Sequence, residues 1–254
     1  MVDIHSHILW GLDDGARDQE ESLAMLELAA ETGTTDIVAT PHSDNEYLYD
    51  PEEVTDRIAA LSGLTGGVPR IHRGCDFHMS LENIQECLEY PTRFTINGLG
   101  YLMVEFADTV IPASTEEIFR RFSALDIVPV ITHPERNPIL RESMDRLQHW
   151  IDMGCLVQVT AQSLTGRFGK TARRAAWSML RKGLVHVLAS DGHNAEGRPP
   201  RLDFARDTVT REINAETADV LLIENPSAVI RGLKGCVRAP GAAAAKRRWF
   251  GIGF

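Results

Sequence analysis

The stretch Val2-Asp3-Ile4-His5-Ser6-His7 opens the chain, and Val187-Leu188-Ala189-Ser190-Asp191-Gly192-His193 stands near its far end. Each is a short apolar run that finishes in two potential metal ligands spaced i and i+2. The first pair is two imidazoles, the second a carboxylate and an imidazole. Residues two apart in a strand project from the same face, so each triplet aims two ligands at one point. A chain that begins and nearly closes its folded part in this way predicts a metal site assembled from strand ends.

Similar runs recur between these two, at residues 2–5, 36–40, 70–75, 101–106, 127–132, 156–160 and 185–189. Segments of helical period separate them at 20–31, 51–62, 115–125, 143–153 and 170–182. Pro51 after Asp50 suits a first helical turn, and Ser114 followed by Glu117 reads as a capping box. About seven strands alternating with helices predict an α/β fold with a mostly parallel sheet. The chain of 254 residues is long for one domain, yet α/β barrels of this size are routinely single.

An apolar share of 43% against 24% charged residues is enough to fill a sizeable core. The formal charge of −10 argues against a nucleic-acid partner, and ligand carboxylates would account for part of it. Cys75, Cys87, Cys155 and Cys236 show no C-x-x-C pair, which fits reduced thiols rather than a disulfide framework. Asp3, His5 and His7 interrupt the N-terminus at once, so no signal peptide is expected. No apolar run approaches the roughly 20 residues of a membrane span. The expectation is a soluble, cytoplasmic protein of undetermined oligomeric state, with its folded domain at 1–238. Residues 239–254 differ, because Lys246, Arg247 and Arg248 lead into Trp249 and Phe250. They read as a flexible basic and aromatic tail, with a weak membrane-surface contact as the sharper alternative.

In α/β barrels the C-terminal ends of the strands carry the catalytic groups. Here the first run delivers His5 and His7, and the loop beyond it Asp13-Asp14-Gly15. The second ends in Thr40-Pro41-His42, and the third runs into Gly74-Cys75-Asp76. The fourth holds Glu105, the fifth ends in His133-Pro134-Glu135-Arg136, and the last in Asp191-Gly192-His193. A single His at a strand end is ordinarily a satisfied polar residue, and an Asp before Gly ordinarily a turn residue. Glu105 resists such a reading, since an unpartnered carboxylate in an apolar strand is costly. The coincidence of so many ends favours metal. The candidate ligands are His5, His7, Asp14, His42, Asp76, Glu105, His133, Asp191 and His193, more than a single ion needs. Two or three divalent ions with a bridging carboxylate are implied, and imidazole with carboxylate suits Mn, Fe or Zn. Adjacent divalent ions suit phosphate-ester hydrolysis. Arg136 is a candidate to fork the phosphoryl oxygens and Arg198 a second, with a surface ion pair as the plain alternative for each.

The motifs Asp3-Ile4-His5-Ser6-His7, Asp13-Asp14-Gly15, Thr40-Pro41-His42, His133-Pro134-Glu135-Arg136 and Ser190-Asp191-Gly192-His193-Asn194, in this order, resemble the PHP superfamily. They are most similar to the bacterial metal-dependent protein-tyrosine phosphatases of capsule and exopolysaccharide loci, the CpsB/CapC/YwqE-like group. The resemblance runs from Met1 to about Gly232 and takes in Gln162-Ser163-Leu164-Thr165-Gly166 and Asn225-Pro226. It implies a distorted (β/α)7 barrel with a trinuclear, often manganese-loaded site. It implies that His5, His7, Asp76 and Asp191 hold one ion, Asp76, Glu105 and His133 a second, and Asp14, His42 and His193 a third. Arg136 would bind phosphate, with Arg198 assisting by its position. The implied activity is hydrolysis of protein phosphotyrosine, and the implied partner a tyrosine autokinase of polysaccharide export. The pattern departs at Asp76, where the family usually carries Glu; an arm one methylene shorter requires adjusted bridging or a more weakly held ion.

Cys87 and Arg93 satisfy the C-x5-R spacing of cysteine-dependent phosphatases, but Glu86 and Glu89 flank the thiol and Tyr90 and Pro91 crowd the loop. Such a loop needs small residues and an electropositive setting, so this match is read as accidental. The rival readings are a small-molecule phosphatase of the histidinol-phosphate kind, a promiscuous phosphodiesterase or triesterase, and a non-catalytic binding module.

Overall fold

Runs of branched and apolar residues alternate with helices along the chain, and a computed structural model describes residues 1–240 of it. The expected tail lies, from residue 241 onward, outside the described residues, as does the membrane-surface contact expected of it. β1 (Val2–Ser6), α1 (Gln19–Glu31), β2 (Asp36–Ala39), β3 (His42–Ser43), α2 (Pro51–Thr65), β4 (Arg70–Arg73), β5 (Asp76–His78) and α3 (Leu81–Glu89) come first. β6 (Tyr101–Glu105), α4 (Thr115–Ala124), β7 (Val128–Thr132), α5 (Met144–Asp152), β8 (Leu156–Thr160), α6 (Gly169–Arg181) and β9 (Val187–Ala189) continue the alternation. Three helices then follow, α7 (Asp203–Glu212), α8 (Ala215–Asp219) and α9 (Asn225–Ile230). Every strand pairing is parallel, as helical crossovers require. One sheet runs β1-β2-β4 and the other β3-β5-β6-β7-β8-β9. A parallel bridge between Ser6 and Gly192 brings the chain beyond β9 back to β1; Asp191 N donates to His5 O at 2.9 Å and His7 N to Gly192 O at 2.8 Å.

Two of the expected strands are bent into pairs. Pro41 lacks an N–H and separates β2 from β3, and Gly74-Cys75 separates β4 from β5. The ladder survives the bend, with Gly74 N donating to Ala39 O at 2.9 Å and Asp76 N to Pro41 O at 3.1 Å. Gly74 is required there, because a Cβ would stand 2.7 Å from Val38 Cγ1. The bend makes His42 and Asp76 ladder partners, where the sequence placed them in loops beyond the strands. The last ligand pair is also displaced from its expected setting. β9 ends at Ala189, and Asp191 lies past it with φ +53°, so the pair is brought together by a left-handed turn and not by strand alternation.

Helix starts are equally instructive. Asp50 caps α2 as expected, accepting from Glu52 N at 2.9 Å ahead of Pro51. The capping box at Ser114 does not form. Ser114 already has helical torsions (φ −81°, ψ 0°) and makes no side-chain cap, whereas an N-cap needs extended backbone. Thr115 Oγ1 instead donates to Pro112 O at 2.7 Å. Helices α3, α7, α8 and α9 were not anticipated. No helix among the described residues is long and apolar enough to cross a membrane.

Strand alternation sorts the core into two layers. Tyr101, Met103, Val130, Leu156, Val187 and Ala189 cluster with Val229 and Ile230 of α9. Leu102, Val104, Ile131, Val157, Val159 and Leu188 pack with the surrounding helices through residues such as Phe122 and Trp150. Each fully buried Leu or Ile contributes about 1.5–3 kcal/mol. On the inner faces of β6, β7 and β8, the next positions toward the C-terminal ends are Glu105, Thr132 and Gln158. The inner layer therefore turns from apolar to polar at one end, and that end holds the candidate ligands.

Candidate metal centre

His5 and His7 are held by their Nδ1 atoms. His5 Nδ1 lies 3.0 Å from Gln158 Oε1, and His7 Nδ1 lies 2.6 Å from Asp13 Oδ2. Both partners are acceptors, so each Nδ1 carries the proton and each Nε2 turns a lone pair inward. The two Nε2 atoms stand 3.3 Å apart. Two lone pairs at that separation repel unless a cation lies between them. Asp13 also accepts from Gly15 N at 2.9 Å and His42 N at 3.0 Å, tying the loop after β1 to β3. Gly15 permits this closeness, since a Cβ would meet His7 O at 2.2 Å.

The remaining ligands converge on the same space. His5 Nε2 is 3.4 Å from Asp76 Oδ2 and 3.6 Å from Asp191 Oδ1, which is itself 3.5 Å from His7 Nε2. His42 Nδ1 is 3.4 Å from Asp76 Oδ2 and 3.5 Å from Glu105 Oε2, and its Nε2 is 3.4 Å from Asp14 Oδ1. Asp14 Oδ1 lies 3.3 Å from His193 Nε2, and Glu105 Oε1 lies 3.4 Å from His133 Nε2. These gaps are longer than charged hydrogen bonds. They equal the edge of a coordination shell whose ligand bonds are about 2.1 Å. Three groupings emerge: His5, His7 and Asp76; His42, Asp76 and Glu105; and His7, Asp14, His42 and His193. His133 and Asp191 attach at their edges. His42 is thus shared between groupings, which the sequence did not suggest. Both oxygens of the fully buried Asp76 and the Nδ1 of His42 have no hydrogen-bond partner, an expensive arrangement for a carboxylate unless a cation balances it. The donor set and its orphaned atoms fit divalent metal.

The electrostatics agree with that fit. Burial disfavours charge on His5, but Asp76 and Asp191 outweigh it and push the imidazole up to about 9. His42, against the same burial, is pushed up to about 12 by Asp14 and Glu105. Burial, with His7 alongside, pulls His193 down to about 4, and burial with Arg136 holds His133 well below its ordinary value. Burial opposes ionisation of Asp191, yet Arg136 and His5 keep its carboxyl well below the usual range. The cluster calls for positive charge while keeping two imidazoles neutral, the form in which imidazole binds metal. His133 and Asp191 carry φ of +32° and +53°. Such strain costs of order 1–3 kcal/mol per residue and collects at functional sites.

Arg136 and Arg198 meet on Asp191 Oδ2, the latter at 2.7 Å through Nη2. Both guanidinia lie against Phe168, at 4.5 and 5.6 Å from the ring centroid. All nine candidate ligands and both arginines are thus drawn to one end of the strands. Gln158, Asp13 and Phe168 were missed as functional residues. Gln158 was open to detection, since an amide inside an apolar strand raises the same question as Glu105, whereas nothing in the sequence singles out Phe168. The Cys87 match is a false lead: the thiol is buried in α3 and burial pushes it up to about 12. Arg93 pairs with Glu86 at 2.8 Å instead of facing a phosphate loop.

Relatives share this architecture and more. YwqE of Bacillus subtilis, named a tyrosine-protein phosphatase, is 31% identical over 99% of this chain and 100% of its own. CpsB of Streptococcus pneumoniae, named likewise, is 31% identical over 91% and 98%. A crystal structure described as one of unique metal-dependent tyrosine phosphatases, YwqE and CpsB from those species, superposes with a TM-score of 0.87, 30% identity and coverage of 95% and 98%. A lactonase from Listeria monocytogenes, 15% identical with a TM-score of 0.59 over 90% and 94%, shares the fold alone. Residues 1–231 match the family described as capsular polysaccharide synthesis, CpsB/CapC, and the chain belongs to that family.

Proposed function

We propose that this protein is a metal-dependent protein-tyrosine phosphatase of capsule or exopolysaccharide synthesis, with residues 1–238 forming one metallophosphatase domain of the PHP type. The observation that carries the reading is the orphaned Asp76 carboxylate among converging imidazoles, in a chain matched nearly end to end by metal-dependent tyrosine phosphatases. The finer fold reading is a distorted (β/α)7 barrel. In it β2 with β3, and β4 with β5, each count as one bent strand, and the Ser6–Gly192 bridge joins last to first.

In this reading His5, His7, Asp76 and Asp191 would hold one ion, Asp76, Glu105 and His133 a second, and Asp14, His42 and His193 a third. The contacts of Asp76 Oδ2 to both His5 and His42 support its role as the bridge despite the short arm. Manganese is favoured, and iron or zinc suits the same donors. Bound ions would acidify water and neutralise phosphoryl charge. Gln158 and Asp13 fix the tautomer and tilt of His5 and His7. Arg136 and Arg198, braced on Phe168, offer their remaining N–H groups to phosphoryl oxygens as charge builds there. The substrate would be a phosphotyrosine protein, a tyrosine autokinase of polysaccharide export, met in the cytoplasm.

The deciding measurement pairs metal content with activity in one preparation. Bound Mn, Fe or Zn, loss of phosphotyrosyl-peptide hydrolysis in EDTA and its return with Mn²⁺ are expected. Faster turnover of histidinol phosphate than of the peptide would sink the tyrosine assignment, and a metal-free protein indifferent to EDTA would sink the enzyme.

A further inference from the structure

Glu135 is fully buried at the active end of the strands, yet it belongs to none of the three ligand groupings. Its Oε1 accepts from Ser163 Oγ at 2.7 Å and from Thr160 N at 3.1 Å. Gln162, buried beside Ser163 in the chain, donates from Nε2 to Pro199 O at 2.9 Å. The far atoms of both side chains, Glu135 Oε2 and Gln162 Oε1, have no hydrogen-bond partner among the described residues. A half-satisfied buried polar network is worse for a fold than apolar packing. Stability therefore does not explain why these groups stand here; their neighbours in the chain do.

Glu135 sits in the turn that Arg136 N closes on His133 O at 2.9 Å, the same turn that carries the Arg136 guanidinium. Pro199 follows Arg198, whose turn is closed by Arg198 N on Asn194 Oδ1 at 2.9 Å and by His193 N on Arg198 O at 2.8 Å. Gln162 and Ser163 lie side by side in one 3₁₀ segment, Ala161–Thr165, and so reach both arginine turns from one place. The chain then runs to Phe168, the ring under both guanidinia. Arg167 N donates back to Gln162 O at 3.2 Å, and Trp177 Nε1 of α6 donates to Leu164 O at 3.1 Å. A segment so short, buried from Ala161 to Leu164 and fixed to a helix, moves as one piece. Long arginine side chains need such a support, because a shift of about 1 Å in a positioned group can cost about 10²-fold in rate.

We infer that Gln162 and Ser163 are positioning residues for phosphate-ester hydrolysis. Ser163 holds Arg136 through Glu135, Gln162 holds Arg198 through the Pro199 carbonyl, and one rigid segment thereby fixes the spacing of the two guanidinia. The inference rests on the phosphate-binding reading of Arg136 and Arg198 and extends it to the Gln162-Ser163-Leu164-Thr165-Gly166 motif. Each residue acts on its own arginine, so each should be silent once that arginine is gone.

The test takes Ser163→Ala and Gln162→Leu in the metal-loaded full chain, each alone and each combined with Arg136→Ala or Arg198→Ala. Hydrolysis of p-nitrophenyl phosphate, inhibition by inorganic phosphate, metal content and melting temperature are measured together. Each single variant should lower kcat by about tenfold and weaken phosphate inhibition by a similar factor, with metal content unchanged. Ser163→Ala should add little to Arg136→Ala but its full factor to Arg198→Ala, and Gln162→Leu should do the reverse. A residue that serves only the fold would lower the melting temperature and slow both arginine variants by the same factor; that result overturns the inference. So do single variants whose kcat and phosphate inhibition stay within about twofold of the parent's. Loss of bound metal with kcat per bound metal unchanged overturns it as well. Wild type inactive on every phosphate ester would be a failure of the phosphatase reading. The arginine Nε–Hε signals in the NMR spectrum of the full chain then still decide the positioning role. A shift of the Arg136 signal alone in Ser163→Ala, and of the Arg198 signal alone in Gln162→Leu, supports it; signals unmoved in both variants overturn it.

Discussion

The two ends of the strands are built on opposite rules. At the N-terminal end, Val187, Val229 and Ile230 seal the inner layer, and its polar groups are paired: Asn225 Nδ2 donates to His186 O at 2.6 Å and Asn97 Nδ2 to Ile230 O at 2.9 Å. At the C-terminal end, five imidazoles crowd four carboxylates, two residues hold left-handed torsions, and the Asp76 carboxylate has no hydrogen bond. One end lowers the free energy of the fold and the other raises it. The contrast teaches that this fold separates stability from chemistry along one axis, as barrel enzymes do.

Substitutions can break that division. Asp76→Asn should cost the most, lowering kcat/KM by about 10³-fold through loss of the shared carboxylate. The metal-free variant should unfold at no lower temperature than the metal-free parent, because an orphaned buried charge has gone; a destabilised variant would show that Asp76 belongs to the structural end. His186 probes the opposite end. Burial pulls its imidazole down to about 4, and its Nδ1 accepts from Val157 N at 3.1 Å. It is neutral when folded, while the unfolded chain takes up its proton below about 6.5. The stability it contributes is therefore present above pH 6.5 and lost as pH falls to about 4, by about 3 kcal/mol. Urea unfolding at several pH values should show that slope in the wild type and a shallower one in His186→Gln.

Smaller effects sharpen the comparison at the active end. Arg136→Ala should lower kcat by about 10²-fold with metal content unchanged, the scale of one lost charge-stabilising donor. A drop in bound metal instead would make Arg136 a prop for Asp191. Gln158→Leu should weaken metal affinity by roughly 10-fold, read by titrating Mn²⁺ against activity. Its stability cost should be about 1–3 kcal/mol, since the buried His5 Nδ1 loses its acceptor. Cys87→Ser should leave kcat/KM within about twofold of wild type, as a thiol without thiolate character predicts. A dead enzyme would reopen the cysteine-loop reading.

Legibility followed physical range. The alternation of strands with helices was readable because periods of two and 3.6 residues are local properties of the chain. The cap at Asp50 was local too. That at Ser114 failed because the turn from Pro112 had already placed the backbone in helical torsions. Eight of the nine candidate ligands were readable as types, since each sits at or just past the end of an apolar run, and Asp14 was read from the loop after the first run. Their neighbours were not: Asp13 and Gln158 touch histidines six and 153 residues away, and Phe168 reveals its use only beneath two arginines.

Sequence alone determined the class of fold, the donor chemistry and the family, because periodicity and the order of motifs are written along the chain. Tertiary structure alone decided that Pro41 and Gly74 bend two strands so that His42 faces Asp76, and that Asp191 reaches its partners through a left-handed turn. It alone set Gln162 and Ser163 between the turns of Arg198 and Arg136. These depend on which distant segments pack together, and a closed set of long-range contacts leaves no local period to read.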